Sequence, residues 1–366
     1  RQYTDEACAG LYIKDKKAFK KALKSIHQSG MRAIMYVNNS LSNWDRLWDT
    51  HADDWLITPK GTPFIKAGLP NEKTYQACPR SEYIEYYFWR LGKLMDEYKV
   101  DGFFLDGRMY STCDNSRHGC GVKNFEGEKV PGRDVWDGRK NQLRMYNLIK
   151  RRNGYCEQHK SGNWDAPTCF LWDCVWEGEQ LMRMKLNGRK RLEVMPLYAM
   201  RAQMNGLPYG MPCRYAAYAY SPYTPIENCT YAFVHGTTWG MTYRIDEALT
   251  LRPYWKALDD FGTTYQGFRP YWGKDKPAVS TPDKLVKVSA YVKPGQALLI
   301  VANFNEDETF VKGDIKLNLQ ALGLRSPVAE DAFSGKPVSL INGDTLPVNI
   351  KSFRQTWFLL KDKKPK

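Results

Sequence analysis

Apolar and polar positions follow two successive regimes along this chain. Through the first 270 residues, helical spacing alternates with short apolar runs. Phe19, Leu23 and Ile26 mark one face of a helix over 17–29 that stops at Gly30. The run 31–37 reads as a buried strand closing on Asn38 and Asn39, and a Trp-rich loop follows with Trp44, Trp48 and Trp55. Tyr83, Tyr86, Tyr87, Leu91, Leu94 and Met95 predict a helix over 81–98, and Gly102-Phe-Phe-Leu-Asp106 a strand ending in a carboxylate. A polar loop spans 107–133 and a helix 134–152. Strands are expected over 154–159, 170–176, 206–214 and 238–244, and further helices over 191–204 and 247–259. Beyond Trp272 the period becomes two, with runs over 286–292, 297–304, 310–317 and 354–360 and turns at Gly335-Lys-Pro and Asn342-Gly-Asp.

Helix–strand alternation with short connections implies a parallel sheet. The fold class is therefore read as α/β: a (β/α)8 TIM-like barrel over 1–275, followed by an antiparallel β-sandwich over 276–366. About six barrel strands are visible where closure takes eight. The chain opens on what reads as a loop entering a helix, so the missing strands are expected from an N-terminal segment of the same protein or from a second chain.

In such a barrel, chemistry gathers where strands end. Asp106, at one strand end and followed by Gly107, is the first candidate catalytic group. Glu177 and Glu179 close another strand, and on a regular strand they would share a face. A glycosidic bond needs an acid for the leaving oxygen and a second carboxylate as nucleophile or base, and these three acids can supply the pair. Asn38 and His159 end other strands and are candidates to bind substrate hydroxyls. Trp44, Tyr110, Trp176, Tyr209 and Trp239 are candidate stacking surfaces, and Arg108, Arg214 and Arg244 candidate anion grips.

Composition sharpens this only partly. The 366 residues are 43% hydrophobic, with 12 Trp and 23 Tyr, which suits both a core and a sugar-binding cleft. The net charge of +14 is scattered, leaving room for an anionic glycan. No recognisable nucleic-acid motif accompanies it, so nucleic acid is not an expected partner. No apolar run approaches the roughly 20 residues of a membrane span. No cofactor is expected.

Nine cysteines are too sparse for a disulfide scaffold. Cys113, His118 and Cys120 form C-x4-H-x-C. A Cys113–Cys120 disulfide is the favoured reading. Free thiols are a second. A metal site is a third, short of an evident fourth ligand.

Four segments carry a family resemblance: Cys113-Asp-Asn-Ser-Arg-His-Gly-Cys-Gly121, Leu171-Trp-Asp-Cys-Val-Trp-Glu-Gly-Glu179, Gly206-Leu-Pro-Tyr-Gly-Met211 and Trp239-Gly-Met-Thr-Tyr-Arg244. In this order they resemble a bacterial group of glycoside-hydrolase-like proteins related to glycoside hydrolase family 123. The resemblance covers 1–275 and, more loosely, the sandwich. It implies a barrel between β-domains, an exported location (secreted, periplasmic or cell-surface) and an oligo- or polysaccharide substrate; the glycan is expected to be complex, and anionic on the strength of the charge and the arginines, or N-acetylated. Resemblance to barrel galactosidases makes Asp106 the nucleophile and Glu179 the acid. Enzymes of family 123 itself use an adjacent Asp-Glu pair to orient a substrate acetamide. The pairs at 5–6, 96–97 and 246–247 do not stand at the strand end where that pair belongs. The alternative is a carbohydrate-binding protein that has lost catalysis.

Overall fold

A computed structural model describes residues 13, 15–58, 65–66, 73–107, 109–160, 166–179, 185–207, 210–216, 223–240 and 249–363. The chain forms two compact units, 1–176 and 177–366. The expected boundary at 275/276 falls inside the second.

The first unit is built on parallel strands β1 (Ile34–Asn38), β2 (Gly102–Asp106), β3 (Tyr155–His159) and β4 (Cys174–Glu177), in sequential order. Helices precede β1, β2 and β3. Asp15 caps the helix Lys16–Gln28 by accepting from the Ala18 amide at 2.9 Å. The helix Tyr83–Tyr98 buries Tyr83, Tyr87, Leu91, Leu94 and Met95, then stops at Lys99 in the left-handed region. The helix Val135–Lys150 precedes β3. Gly102 opens β2 where no other residue fits, because a Cβ there would lie 1.7 Å from the Tyr155 carbonyl oxygen. That close approach lets β2 and β3 pair from their first residue.

Side chains alternate cleanly on these strands. Met35, Val37, Phe103, Leu105, Cys156 and Val175 are buried on one side, which also takes in the buried Gln158 and Glu177. Each such residue contributes roughly 1.5–3 kcal/mol on burial when it is a full-sized hydrophobe. The opposite face carries Tyr36, Asn38, Phe104, Asp106, Glu157, His159 and Trp176. A parallel sheet covered on both sides by helices would be apolar on both faces. This one has a polar and aromatic face, as a strand set does when it lines a site. No barrel closure is seen among the described residues.

Two expectations about connections change. The Trp-rich segment is not all loop: Trp48–Trp55 is helical, and Ser40–Ser42, Lys73–Gln76 and Ile65–Lys66 pair as a small sheet. The loop after β2 contains two small antiparallel pairs and a tight 3-10 turn at Ser116–His118.

In the second unit, β5 (Cys213–Ala216) and β6 (Thr238–Gly240) pair in parallel. The expected strand over 206–214 begins later than its apolar pattern suggests. Pro212 has no amide hydrogen to give a ladder, and the chain turns at Gly210 with φ +83°. The expected helix over 191–204 is two short helices, Arg191–Val194 and Leu197–Gln203, divided at Pro196. The antiparallel sandwich is present. A six-stranded sheet contains Val286–Lys293, Gln296–Asn303 and Arg354–Asp362, and a three-stranded sheet contains Phe310–Leu317 and Thr345–Lys351.

Gln296–Asn303 is apolar throughout because both its faces are covered. Ala297, Leu299 and Val301 join the core containing Ile315 and Leu346, while Leu298, Ile300 and Ala302 join the one containing Tyr231, Phe233 and Trp357. His235 follows the helix Pro225–Val234 within this second core. Its Nδ1 donates to the Tyr231 carbonyl at 2.7 Å and its Nε2 accepts from the Tyr271 hydroxyl at 3.0 Å. Burial pushes its pKa from 6.5 down to about 4. Between those values the unfolded chain binds a proton that the folded chain refuses. Stability contributed by neutral His235 is therefore full above pH 6.5 and is lost as pH falls towards 4, by up to about 3 kcal/mol. Urea melts from pH 7 to 4 should show this slope, and His235→Gln should flatten it; an unchanged slope in the variant would assign it elsewhere.

Candidate active site

The registry of the first unit sets its functional row. Asn38 pairs with Asp106, Asp106 with His159, and His159 with Trp176. Four strand ends thus present four side chains at one level. Two residues earlier, Tyr36, Phe104 and Glu157 form the layer beneath.

Asp106 is the centre of this row. Its Oδ2 accepts from the Tyr36 hydroxyl at 2.6 Å, and its Oδ1 from His159 Nδ1 at 2.9 Å. A carboxylate only accepts, so the imidazole proton on that side sits on Nδ1. Two donors stabilise the ionised form. The Asp106 side chain remains 36% exposed while that of His159 is 4% exposed. The acid is therefore held by two donors and remains partly exposed.

Phe104 forms the floor. Its ring stacks on Tyr36 at 6.0 Å and on His159 at 6.3 Å, and meets Trp176 edge-on at 5.1 Å. Trp176 Nε1 donates to the fully buried Glu157 at 2.5 Å, which fixes the indole. Gln158 Nε2 donates to the Gly107 carbonyl at 2.7 Å and so holds the turn that leaves Asp106. Asn38 Oδ1 accepts from the Ser40 hydroxyl.

The remaining candidates separate. Trp44 is 48% exposed and open to a ligand. Tyr110 is 3% exposed, and a Cβ on Gly138 would meet its ring at 2.7 Å. It packs the loop onto the helix Val135–Lys150, which corrects its expected part as an open stacking surface. Glu177 is fully buried with Oε1 accepting from the Gly178 amide at 3.1 Å, and Glu179 is half-buried. Strand alternation puts Glu177 on the face opposite Trp176. The φ of +115° at Gly178 then breaks the period, so Glu177 and Glu179 do not share a face by regular alternation as expected. Arg214 lies half-buried in β5. Trp239 is described by its backbone in β6 alone; Arg108, Tyr209 and Arg244 lie outside the described residues.

The expected Cys113–Cys120 disulfide is not formed; both are free, buried thiols. Their partners are others. Cys120 Sγ lies 3.5 Å from Cys78 Sγ, and Cys113 Sγ 3.3 Å from His118 Nδ1. The hydrogen bond from Cys78, with help from His118, pulls the Cys113 thiol down to about 5. Burial pushes Cys120 up to about 12, and the contact with Cys113, with burial, raises Cys78 as well. Cys78 was not legible as a partner, because it stands alone in sequence after a short strand. Tyr36 and Phe104 were within reach of the pattern, since each is two residues before a strand-end candidate.

Residues 250–332 match the family model described as glycoside hydrolase 123, C-terminal domain. That part of the chain relates it to the glycoside hydrolases of that family; the four quoted segments lie outside the matched residues. The match includes the start of the sandwich and none of β1–β4. Among solved structures, an alpha-amylase from Geobacillus thermoleovorans complexed with acarbose is similar at 12% identity and TM-score 0.63, covering 99% of this chain and 84% of that one. A maltogenic alpha-amylase from Thermotoga neapolitana is similar at 14% identity and TM-score 0.62, covering 98% and 85%. An alpha-amylase from Lactobacillus plantarum is similar at 12% identity and TM-score 0.60, covering 95% and 82%. These share the fold. No curated protein matches the chain. Among the described residues, no helix is long and apolar enough to cross a membrane.

Proposed function

We propose that the protein hydrolyses a glycosidic bond at the C-terminal ends of β1–β4, with Asp106 as nucleophile and Glu179 as general acid. The observation that carries this reading is the Asp106 carboxylate, gripped by Tyr36 and His159, partly exposed and level with Asn38 and Trp176. The donors hold the charge where positive charge develops on a sugar ring in an oxocarbenium-like transition state. The exposed Trp44 and the fixed Trp176 supply flat apolar faces and Asn38 a polar one, which is the usual make-up of a ligand site, while His159, expected to meet substrate, is buried and positions Asp106 instead. Glu177, buried and on the other face of its strand, supports the end of β4 instead of reacting.

The glycan we infer is anionic. The net charge of +14 leaves an excess of cations, and Arg214 lies in one of the parallel strands. Arg108 and Arg244 follow the ends of their expected strands and would add planar two-point grips on sulfate or uronate.

The test is a panel of neutral, N-acetylated, sulfated and uronate-bearing oligosaccharides, α-glucans included, with products read by NMR. Cleavage of an anionic member, weakening as salt screens charge over about 8–10 Å, is the expected result. Equal turnover of neutral and anionic members without salt dependence would remove the anionic assignment. Tight glycan binding with no bond cleaved in any member would favour the carbohydrate-binding reading instead.

A further inference from the structure

We propose that Cys78, Cys113, His118 and Cys120 bind one zinc ion as a closed, structural Cys3His site. The ligand atoms of Cys78, Cys113 and His118 lie within 4.8 Å of one another, and Cys120 Sγ is 3.5 Å from Cys78 Sγ. Zinc takes sulfur at about 2.3 Å and imidazole nitrogen at about 2.0–2.1 Å in a tetrahedron, so its S···S edges are about 3.8 Å and its S···N edges about 3.6 Å. The observed 3.5 Å between Cys78 and Cys120 and 3.3 Å between Cys113 and His118 fit two opposite edges of that figure. Cys120 reaches the set through Cys78, and a side-chain movement of about an ångström or more brings it in as the fourth ligand.

The surroundings are those of a metal-ligating set. His118 Nε2 donates to the Asp54 carbonyl at 2.6 Å, which leaves the Nδ1 lone pair facing Cys113. Metal-bound histidines are oriented by such a second bond. The Arg80 amide lies 3.4 Å from Cys78 Sγ, the donor a thiolate accepts from. The three sulfurs are 0%, 2% and 5% exposed, and Arg80 reaches the Gly119 carbonyl at 3.4 Å beside them. Soft thiolates in a tetrahedral set with one imidazole select zinc over the harder divalent ions. Four protein ligands leave no open position, so the ion would hold structure and would not react.

What it holds is the segment leaving Asp106. Cys113, His118 and Cys120 belong to that segment, while Cys78 follows the strand Lys73–Gln76. Hydrogen bonds already dock the segment on the helix Trp48–Trp55 and the residues after it: Asn115 Nδ2 donates to the Asp53 and Leu56 carbonyls at 2.9 Å, and His118 to the Asp54 carbonyl. The zinc would tie it to Cys78 as well and fix the rim next to the Asp106 strand end.

Metal content of the full chain, purified without chelator, is the direct test. Close to one zinc per chain is expected by mass spectrometry of the metals. Replacement by cobalt should give the intense visible bands of tetrahedral cobalt together with thiolate-to-metal charge transfer. Both readouts use the native sequence and do not depend on activity. Cys78→Ser and Cys120→Ser should each lose the bound metal, while His118→Cys should keep it with a changed cobalt spectrum. Chelator should lower Tm, and zinc alone should restore it. The proposal fails if the protein holds far less than stoichiometric zinc after growth in zinc-supplemented medium. It fails equally if peptide mapping without reductant finds Cys78 and Cys120 joined to each other.

Discussion

Asp106→Asn should lower the hydrolysis rate by about 10³-fold or more while leaving the thermal unfolding curve in place, since placed carboxylates contribute on that scale. The swap is nearly isosteric. Asn keeps one oxygen to accept from Tyr36 or His159, but it offers an amide where the other donor points, and it carries no charge. The ground state therefore changes little, whereas the developing positive charge on the sugar loses its partner. In Asp106→Ala, added azide should restore turnover of an activated aryl glycoside if Asp106 is the nucleophile, because a small anion can enter the space that the truncated side chain leaves. The rescued product would carry azide on the face from which the carboxylate attacks, opposite the leaving group, with inverted configuration. Turnover within threefold of the native rate would take Asp106 out of the mechanism, whatever the fate of the fold.

The reasons this residue could be found from sequence are local. An amphipathic helix, a four-residue apolar run and a turn glycine frame Asp106, and each of those signals depends only on near neighbours. The structure places all three as the sequence implies. The same holds for the strands of the sandwich, where the period of two persists for eight residues at a time. Errors occurred where the backbone had non-local or chain-breaking constraints. Apolar residues around Pro208, Gly210 and Pro212 mimicked a strand, and the ladder forms only from Cys213 onward. Pro196 divides a pattern that otherwise reads as one helix. Tyr110 looked like a rim aromatic because it follows Asp106 closely, but a glycine on the next helix admits its ring to the interior.

Side-chain partners were less legible than elements. The spacing of Cys113 and Cys120 suggested that they pair with each other. Their true neighbours are His118, two residues before Cys120, and Cys78, which only the tertiary fold brings near. Likewise the grip of Tyr36 and His159 on one carboxylate depends on the registry of three parallel strands, a property that no single segment encodes.

Glu179→Gln should have an effect that depends on the leaving group, and this dependence identifies a general acid better than the loss of rate does. Protonation of the leaving oxygen contributes about 10²–10⁴-fold when that oxygen is a poor leaving group, as in an oligosaccharide. It contributes little when the oxygen departs as a stabilised nitrophenolate. The variant should therefore lose about 10²–10⁴-fold on a natural glycan and far less on the nitrophenyl substrate in the glycosylation step. Glu177→Gln provides the comparison. Its carboxylate is fully buried and engaged with the Gly178 amide, so replacement should change both substrates by the same factor and appear mainly as a lower Tm. Should Glu177→Gln show the leaving-group dependence and Glu179→Gln not, the two assignments exchange, and the turn at Gly178 would have to bring Glu177 to the reacting bond. Should neither show it, the acid lies on a residue outside β4 and its following turn.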